Sequence, residues 1–354
     1  MELVIAAVGV VVVASTLIDI FQTVILPRPI IGSRVGLSRW LVQLTWGVWR
    51  WYCLRLGPTP RERRLALYAP SVLILMLAVW IFGLMLGYGL VLYAVRDETH
   101  PGLPDVWTAI YFAATSLLTI GFGDVVATSW LARAVAIIAA ATGLVVVALT
   151  ITFVFSLYAF FQRRELLVTT LDERAGGAPP SGVALLETHG TLDMTGDLAR
   201  VFSDWEVWAA EVLDSHLAYP LLGFFRSSHD NESWVSALGA MLDAATLCET
   251  VVEDVARGPA AMVRRAGSHL VEDVTAYFRM PHEHGVGVER DEFDAARERL
   301  RAAGYRLRDP ERAWIEFSEL RANYAGDLNS MARFWAVPPA QWIGDRSPMP
   351  HTPA

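Results

Sequence analysis

Hydrophobic positions fall along this chain in three long runs, and beyond them in a looser helical rhythm. The first run extends from about Leu3 to Leu26 and is interrupted by one charge, Asp19. A secretory signal has a positive start and an apolar core of about 7–15 residues. Here the chain begins Met1-Glu2 and the run is longer, so it reads as a retained membrane-crossing helix. The second run, Leu65 to Val95, holds 31 residues without a charge. At about 1.5 Å per residue it reaches about 46 Å, against a hydrocarbon core of about 30 Å. It therefore tilts or projects beyond the bilayer. Gly83 and Gly87 form a small-xxx-small pair suited to close helix contact. The third run spans about Leu131 to Gln162, with Arg133 near its start.

Between the second and third runs lies a shorter apolar stretch, Val106–Leu118. Its 13 residues are too few to cross upright, which predicts a re-entrant helix. Asp105, following Pro104, is placed as its N-cap.

Charge sets the expected orientation. The connection from Pro27 to Arg64 carries eight Arg and one Glu, which puts it on the cytoplasmic side, as do Arg163 and Arg164. Arg96–Asp105 has one Arg and three acids and suits the outside. Three crossings then place the N-terminus outside and the C-terminal half inside. Leu37–Leu56 holds Trp40, Trp46, Trp49 and Trp51 between or beside Arg39 and Arg50. That mixture predicts a helix lying in the membrane interface.

Residues 1–164 carry a net charge of +5 and residues 165–354 a net of −13, within the total of −8. All 29 basic residues are Arg, and no basic block stands clear of acids in the C-terminal half, so no nucleic-acid partner is expected. Cys53 and Cys248 fall on either side of the domain boundary and are not expected to pair.

Gly176–Gly182, which includes Pro179-Pro180, reads as a break. Beyond it, helical spacing appears in Asp197–Leu217, Glu232–Ala256, Pro259–Phe278 and Pro310–Phe334. Asp309-Pro310 supplies an N-cap and first-turn pair for the last of these.

The chemistry concentrates in Thr119-Ile120-Gly121-Phe122-Gly123-Asp124, directly after the short helix. An ion leaving water needs its hydration shell replaced by oxygens, and backbone carbonyls facing one axis do this. Gly121 and Gly123 permit the positive φ that such a backbone needs. Thr119, Ile120, Gly121 and Phe122 would supply carbonyls, with the Thr119 hydroxyl as a further ligand. The Ile120 and Phe122 side chains would pack behind them. Asp124 would sit at the outer mouth and bond to Tyr111 of the short helix.

On these residues the stretch Trp107–Asp124, with the helix after it, resembles the pore module of the bacterial two-transmembrane potassium channel family, over about residues 68–162. The family pattern has Tyr where this chain has Phe122, and a second Thr where it has Leu118. The resemblance implies passive K⁺ conduction with no organic cofactor. One filter segment per chain implies a homotetramer, with mixed subunits as the other option. It also makes Gly143, 22 residues after Gly121, a candidate gating hinge. Val147, Ile151 and Phe155 become candidate cavity or gate residues.

Asp19 is an acid inside a membrane helix, and Arg28 or Arg34 is its expected partner. His282-Glu283-His284 lacks a third ligand for a metal site, and His229-Asp230 reads as a turn. The aromatic stretch with Trp205, Trp208, Tyr219, Phe224 and Phe225 reads as core or subunit interface rather than a ligand pocket. No G-x-G-x-x-G follows a strand, and no catalytic constellation is visible, so neither a nucleotide fold nor an enzyme is expected.

The expected architecture is an all-α membrane protein. An N-terminal membrane helix (1–27) leads to a cytoplasmic connection (28–64). The pore module (65–164) and a helical cytoplasmic domain (165–354) follow, with room in that domain for a regulatory ligand. A non-selective pore and a non-conducting membrane sensor or scaffold are the competing readings.

Overall fold

The computed structural model describes residues 1–26, 36–177, 179–227, 232–283 and 287–343. Its chain divides into two units: Met1–Cys53 with Leu67–Tyr158, and Leu54–Ala66 with Ala159–Ala354.

In the first unit, α1 (Glu2–Ile20) runs into a π-helical turn, Phe21–Ile25. Then come α2 (Leu37–Cys53), α4 (Tyr68–Ala94), α5 (Val106–Leu117) and the start of α6 (Trp130–Arg174), with α3 (Pro58–Ala66) assigned to the second unit. Among the described residues, three helical stretches are long and apolar enough to cross a membrane: Glu2–Ile25, Thr59–Ala94 and Trp130–Arg174. A uniformly apolar helix gains little from burial against another in lipid, so small residues and polar contacts decide the packing. Gly9 of α1 meets Gly87 of α4 so closely that a Cβ on Gly9 would lie 2.6 Å from the Gly87 carbonyl oxygen.

The helix α2 packs by its polar and aromatic groups. Tyr68 donates to the Val42 carbonyl at 2.8 Å, and its ring meets Trp46 edge-on at 4.8 Å. Trp46 is buried, whereas Trp40, Leu44, Val48 and Trp51 form an exposed stripe. The Asp19 carboxylate accepts the backbone N–H of Ser38 at 3.2 Å, the Ser38 hydroxyl, and the Trp80 indole N–H at 2.7 Å. Asp19 thus satisfies the open N-terminus of α2. The ion pair expected of it involves Arg28 and Arg34, which lie outside the described residues.

In the second unit α6 does not stop at Gln162 but continues to Arg174. The chain turns at Gly176 and Gly177, both at positive φ, and Ser181 caps α7 (Gly182–Thr191). There follow α8 (Leu198–Ala218), α9 (Trp234–Thr250), α10 (Arg257–Phe278), α11 (Arg290–Ala302) and α12 (Pro310–Phe334). Every residue of α9 except Glu249 is buried, making it the central helix of this unit. Its Asp243 pairs with Arg321 at 2.9 Å and accepts from Tyr324 at 2.7 Å, so the buried charges are matched. The aromatics expected in the core are there: Trp205, Trp208 and Phe224 are buried, and the Trp208 indole donates to the Arg164 carbonyl at 2.9 Å.

Two departures concern helix ends and short helices. The helix expected over Glu232–Ala256 ends at Thr250; a turn follows, and Val252 bridges to Leu307. The helices α7 and α11 were not anticipated. α11 is mostly charged and buries only Phe293, Ala296, Arg297 and Leu300, too thin an apolar stripe to stand out.

Candidate functional site

The stretch between α4 and α6 leaves and returns at one place. Two short strands, β1 (Thr99–His100) and β2 (Val126–Ala127), pair antiparallel with Thr99 opposite Ala127, a small exception to the all-helical expectation. The Thr128 backbone N–H also donates to the Glu98 carbonyl at 2.8 Å. α5 and the residues after it are therefore a loop with clamped feet. Asp105 caps α5 by accepting from the Thr108 N–H at 2.8 Å.

The chain after α5 keeps its N–H groups turned back on that helix. Leu118 donates to Ala114 at 2.9 Å and Thr119 to Ser116 at 3.0 Å. The Thr115 carbonyl accepts from both Ile120, at 2.8 Å, and Gly121, at 3.3 Å. Positive φ then alternates with negative φ: Thr119 at 55°, Gly121 at 60° and Gly123 at 79°, with Ile120 and Phe122 between them. Alternation of this kind turns successive N–H groups to one side and carbonyls to the other. Among the described residues, no hydrogen bond within the chain reaches the carbonyls of Thr119 to Phe122. Four adjacent oxygens without a donor fit a dehydrated cation.

Thr119 is the surprise in this segment. The glycines account for Gly121 and Gly123, but a β-branched residue at φ 55° is strained by about 1–2 kcal/mol. The bonds of Thr119, Ile120 and Gly121 to the end of α5 hold it there. Nothing in the residue letters marks Thr115, because it acts through its carbonyl.

Tyr111 donates to the Asp124 carboxylate at 2.8 Å and lies parallel to the Phe122 ring, with centroids 6.5 Å apart. The packing expected behind the segment is not completed within one chain: Ile120 is 50% exposed and Phe122 69%.

Gly143 stands on α6 against the end of α5, where a Cβ would meet the Leu117 carbonyl oxygen at 1.8 Å. Val147, Ile151 and Phe155 follow at four-residue intervals and are exposed. The structure brings Gly143 against the end of α5 and leaves the other three exposed.

Other candidates are absorbed elsewhere. His282 pairs with Asp327 at 2.6 Å, and Glu283 with Arg333 at 2.7 Å. His284 and His229-Asp230 lie outside the described residues. Among the described residues, no group of three or more His, Cys, Asp and Glu is arranged for a metal ion. Cys53 and Cys248 are both buried, and neither is in a disulfide.

Comparison with known proteins agrees with this geometry. Residues 75–159 match the family described as "Ion channel", nearly the stretch whose residues resemble a potassium-channel pore module. The uncharacterized membrane protein YdjJ of Bacillus subtilis is 26% identical over 204 residues, 56% of this chain and 58% of that one. The delayed-rectifier potassium channel regulatory subunit KCNS2 of Homo sapiens is 31% identical over 78 residues, 22% of this chain and 16% of that protein. The chain thus spans just over half the length of the first relative and much less of the second. No solved structure matches. The resemblance of the pore module therefore rests on the matched family as well as on the filter residues.

Proposed function

We propose that this chain is a subunit of a potassium-selective channel that conducts K⁺ passively through a fourfold ring of backbone carbonyls. The observation that carries the reading is the segment Thr119–Gly123, whose alternating φ leaves four successive carbonyls without donors. Its exposed Ile120 and Phe122 support a homotetramer, because neighbouring copies would cover them and close the ring. The Ion channel match over residues 75–159 supports a pore rather than an enzyme.

In this reading α1, α4 and the apolar part of α6 cross the cell membrane. Arg placement puts the N-terminus outside and the second unit in the cytoplasm. The Trp40, Leu44, Val48 and Trp51 stripe of α2 lies in the lipid interface. Thr119, Ile120, Gly121 and Phe122 coordinate K⁺. Gly123, Asp124 and Tyr111 hold the outer mouth, and Val147, Ile151 and Phe155 line the inner cavity. The helical cytoplasmic unit assembles the tetramer or biases its gate.

The test is flux and single-channel recording from the purified chain in liposomes under opposed K⁺ and Na⁺ gradients. Current should reverse near the K⁺ equilibrium potential, and Gly121→Ala should abolish it, since Gly121 sits at φ 60°. A reversal potential indifferent to K⁺ would establish a non-selective pore. Silence of the correctly folded tetramer would favour a sensor or scaffold.

A further inference from the structure

The charged residues Arg290, Asp294, Arg297, Glu298 and Arg301 recur along α11 at helical spacing and share one face of it. The chain entering α12, Arg308-Asp309-Pro310, closes the other side of a cavity of about 710 Å³ lined by that face. A space of this size suits an organic molecule rather than a lone ion.

The guanidinium and carboxylate groups lining the cavity are matched, with one exception. Arg290 donates to Asp294 at 2.9 Å and to both carboxylate oxygens of Glu311. Arg301 pairs with Glu298. Arg308 donates to the carbonyls of Glu249, at 2.6 Å, and Val252, at 3.0 Å. Asp309 accepts the Arg312 backbone N–H at 3.0 Å, so the start of α12 is already capped. The exception is Arg297, which is 4% exposed. Its Nη2 donates to the Arg308 carbonyl at 2.9 Å, but among the described residues it pairs with no carboxylate. Its Nη1 is buried and has no acceptor. The Phe293 ring, 5.9 Å from the guanidinium carbon, is a weak substitute for a counter-charge. Burial first, and the Arg301 charge second, oppose the charged form of Arg297. A guanidinium does not give up its proton, so the charge stays and lacks an anion.

We propose that this cavity binds a phosphorylated small molecule, with Arg297 and Arg301 holding its phosphoryl oxygens. The fork of a guanidinium matches two such oxygens at once, and a phosphoryl group presents enough of them for both arginines. Arg301 and Glu298 are both exposed, and an exposed pair is weak enough to part. A phosphoryl group takes the place of Glu298 there and reaches Arg297, one helical turn away. Asp294 stays with Arg290 and Asp309 with its cap, so neither has to move. The rest of the cavity is left for the organic part. A soluble phosphate ester and a phospholipid headgroup share this chemistry. Binding stands apart from the channel reading; an effect of the ligand on conduction would rest on it.

The experiment uses the full-length chain in phosphatidylcholine nanodiscs, titrated by calorimetry with pyrophosphate and with ATP at constant ionic strength. A second arm adds phosphatidic acid to the nanodisc lipid and follows the melting temperature. Saturable binding of pyrophosphate or ATP, weakened about tenfold or more by Arg297→Met and by Arg301→Gln, would assign a soluble phosphate. A rise in melting temperature with phosphatidic acid alone, missing from both variants, would assign a headgroup. Without ligand, Arg297→Met should melt no lower than the native chain, because it removes an uncompensated buried charge and keeps an apolar stem. A lower melting temperature with binding retained would make Arg297 a purely structural residue and overturn the site. Arg301→Gln changes an exposed side chain, so it decides the matter even if Arg297→Met does not fold. No response in either arm, or binding that the variants leave unchanged, would also overturn the site.

Discussion

Gly143 on α6 faces the carbonyl of Leu117 at the end of α5, with room for a hydrogen and not for a methyl group. The resemblance to the channel pore module nominates this glycine as a hinge. Its contact also lets α6 support α5, from which the Thr119–Gly123 segment hangs. A bend at Gly143 would therefore also disturb the footing of that segment.

Gly143→Ala should consequently do more than stiffen α6. The atom it would strike belongs to backbone and cannot swing aside, so overpacking should cost about 1–3 kcal/mol. Melting of the assembled protein in detergent should fall and K⁺ flux should drop sharply. Normal stability with only a changed open probability would leave the hinge as the sole role.

Tyr111 donates to Asp124 across the segment that follows α5, at 2.8 Å. Tyr111→Phe keeps the ring against Phe122 and removes only the donor. Asp124→Asn weakens the acceptor. Each should lower the K⁺/Na⁺ permeability ratio, and the double variant should lose little more than either single one. Additive losses in the reversal potential would mean that the two act separately.

Asp19→Ala should strip three donors of their acceptor, two from Ser38 and one from Trp80. The expected loss is about 1–3 kcal/mol. Asp19→Asn keeps one carbonyl oxygen and should lose less. Thermal melting followed by circular dichroism would measure both.

Arg164 is 2% exposed, and its guanidinium serves Glu165, His216 and two backbone carbonyls. Arg164→Ala should destabilise the helical unit by about 3–5 kcal/mol. Arg164→Lys should recover only part, because one ammonium cannot reach all four partners. Circular dichroism melts of the full chain would rank the three proteins.

His216 gives the same unit an acid limit. Burial, and then the Arg164 charge, hold its imidazole well below the ordinary 6.5. The unfolded chain takes up a proton there that the folded one refuses, so stability should fall as the pH drops below 6.5. Melting temperatures measured across that range would check the sign.

Much of the membrane unit was legible because its signals are local. Asp105 caps the helix it precedes, and Tyr111 and Asp124 lie thirteen residues apart across one tight excursion. The second unit was harder to read. The helix of Glu232–Ala256 was expected to run on past Thr250, where it ends instead and Val252 bridges to the distant Leu307. The Ser38 and Trp80 donors to Asp19 were not legible either, since they come from two other helices.

Length, apolarity and the hexamer Thr119–Asp124 were determined by the sequence alone, because they depend on counting residues and on which of them tolerate positive φ. The strain at Thr119 and the contact of Gly143 with Leu117 were decided only by the tertiary structure. Each depends on a backbone carbonyl brought close by packing, which leaves no pattern in the order of side chains.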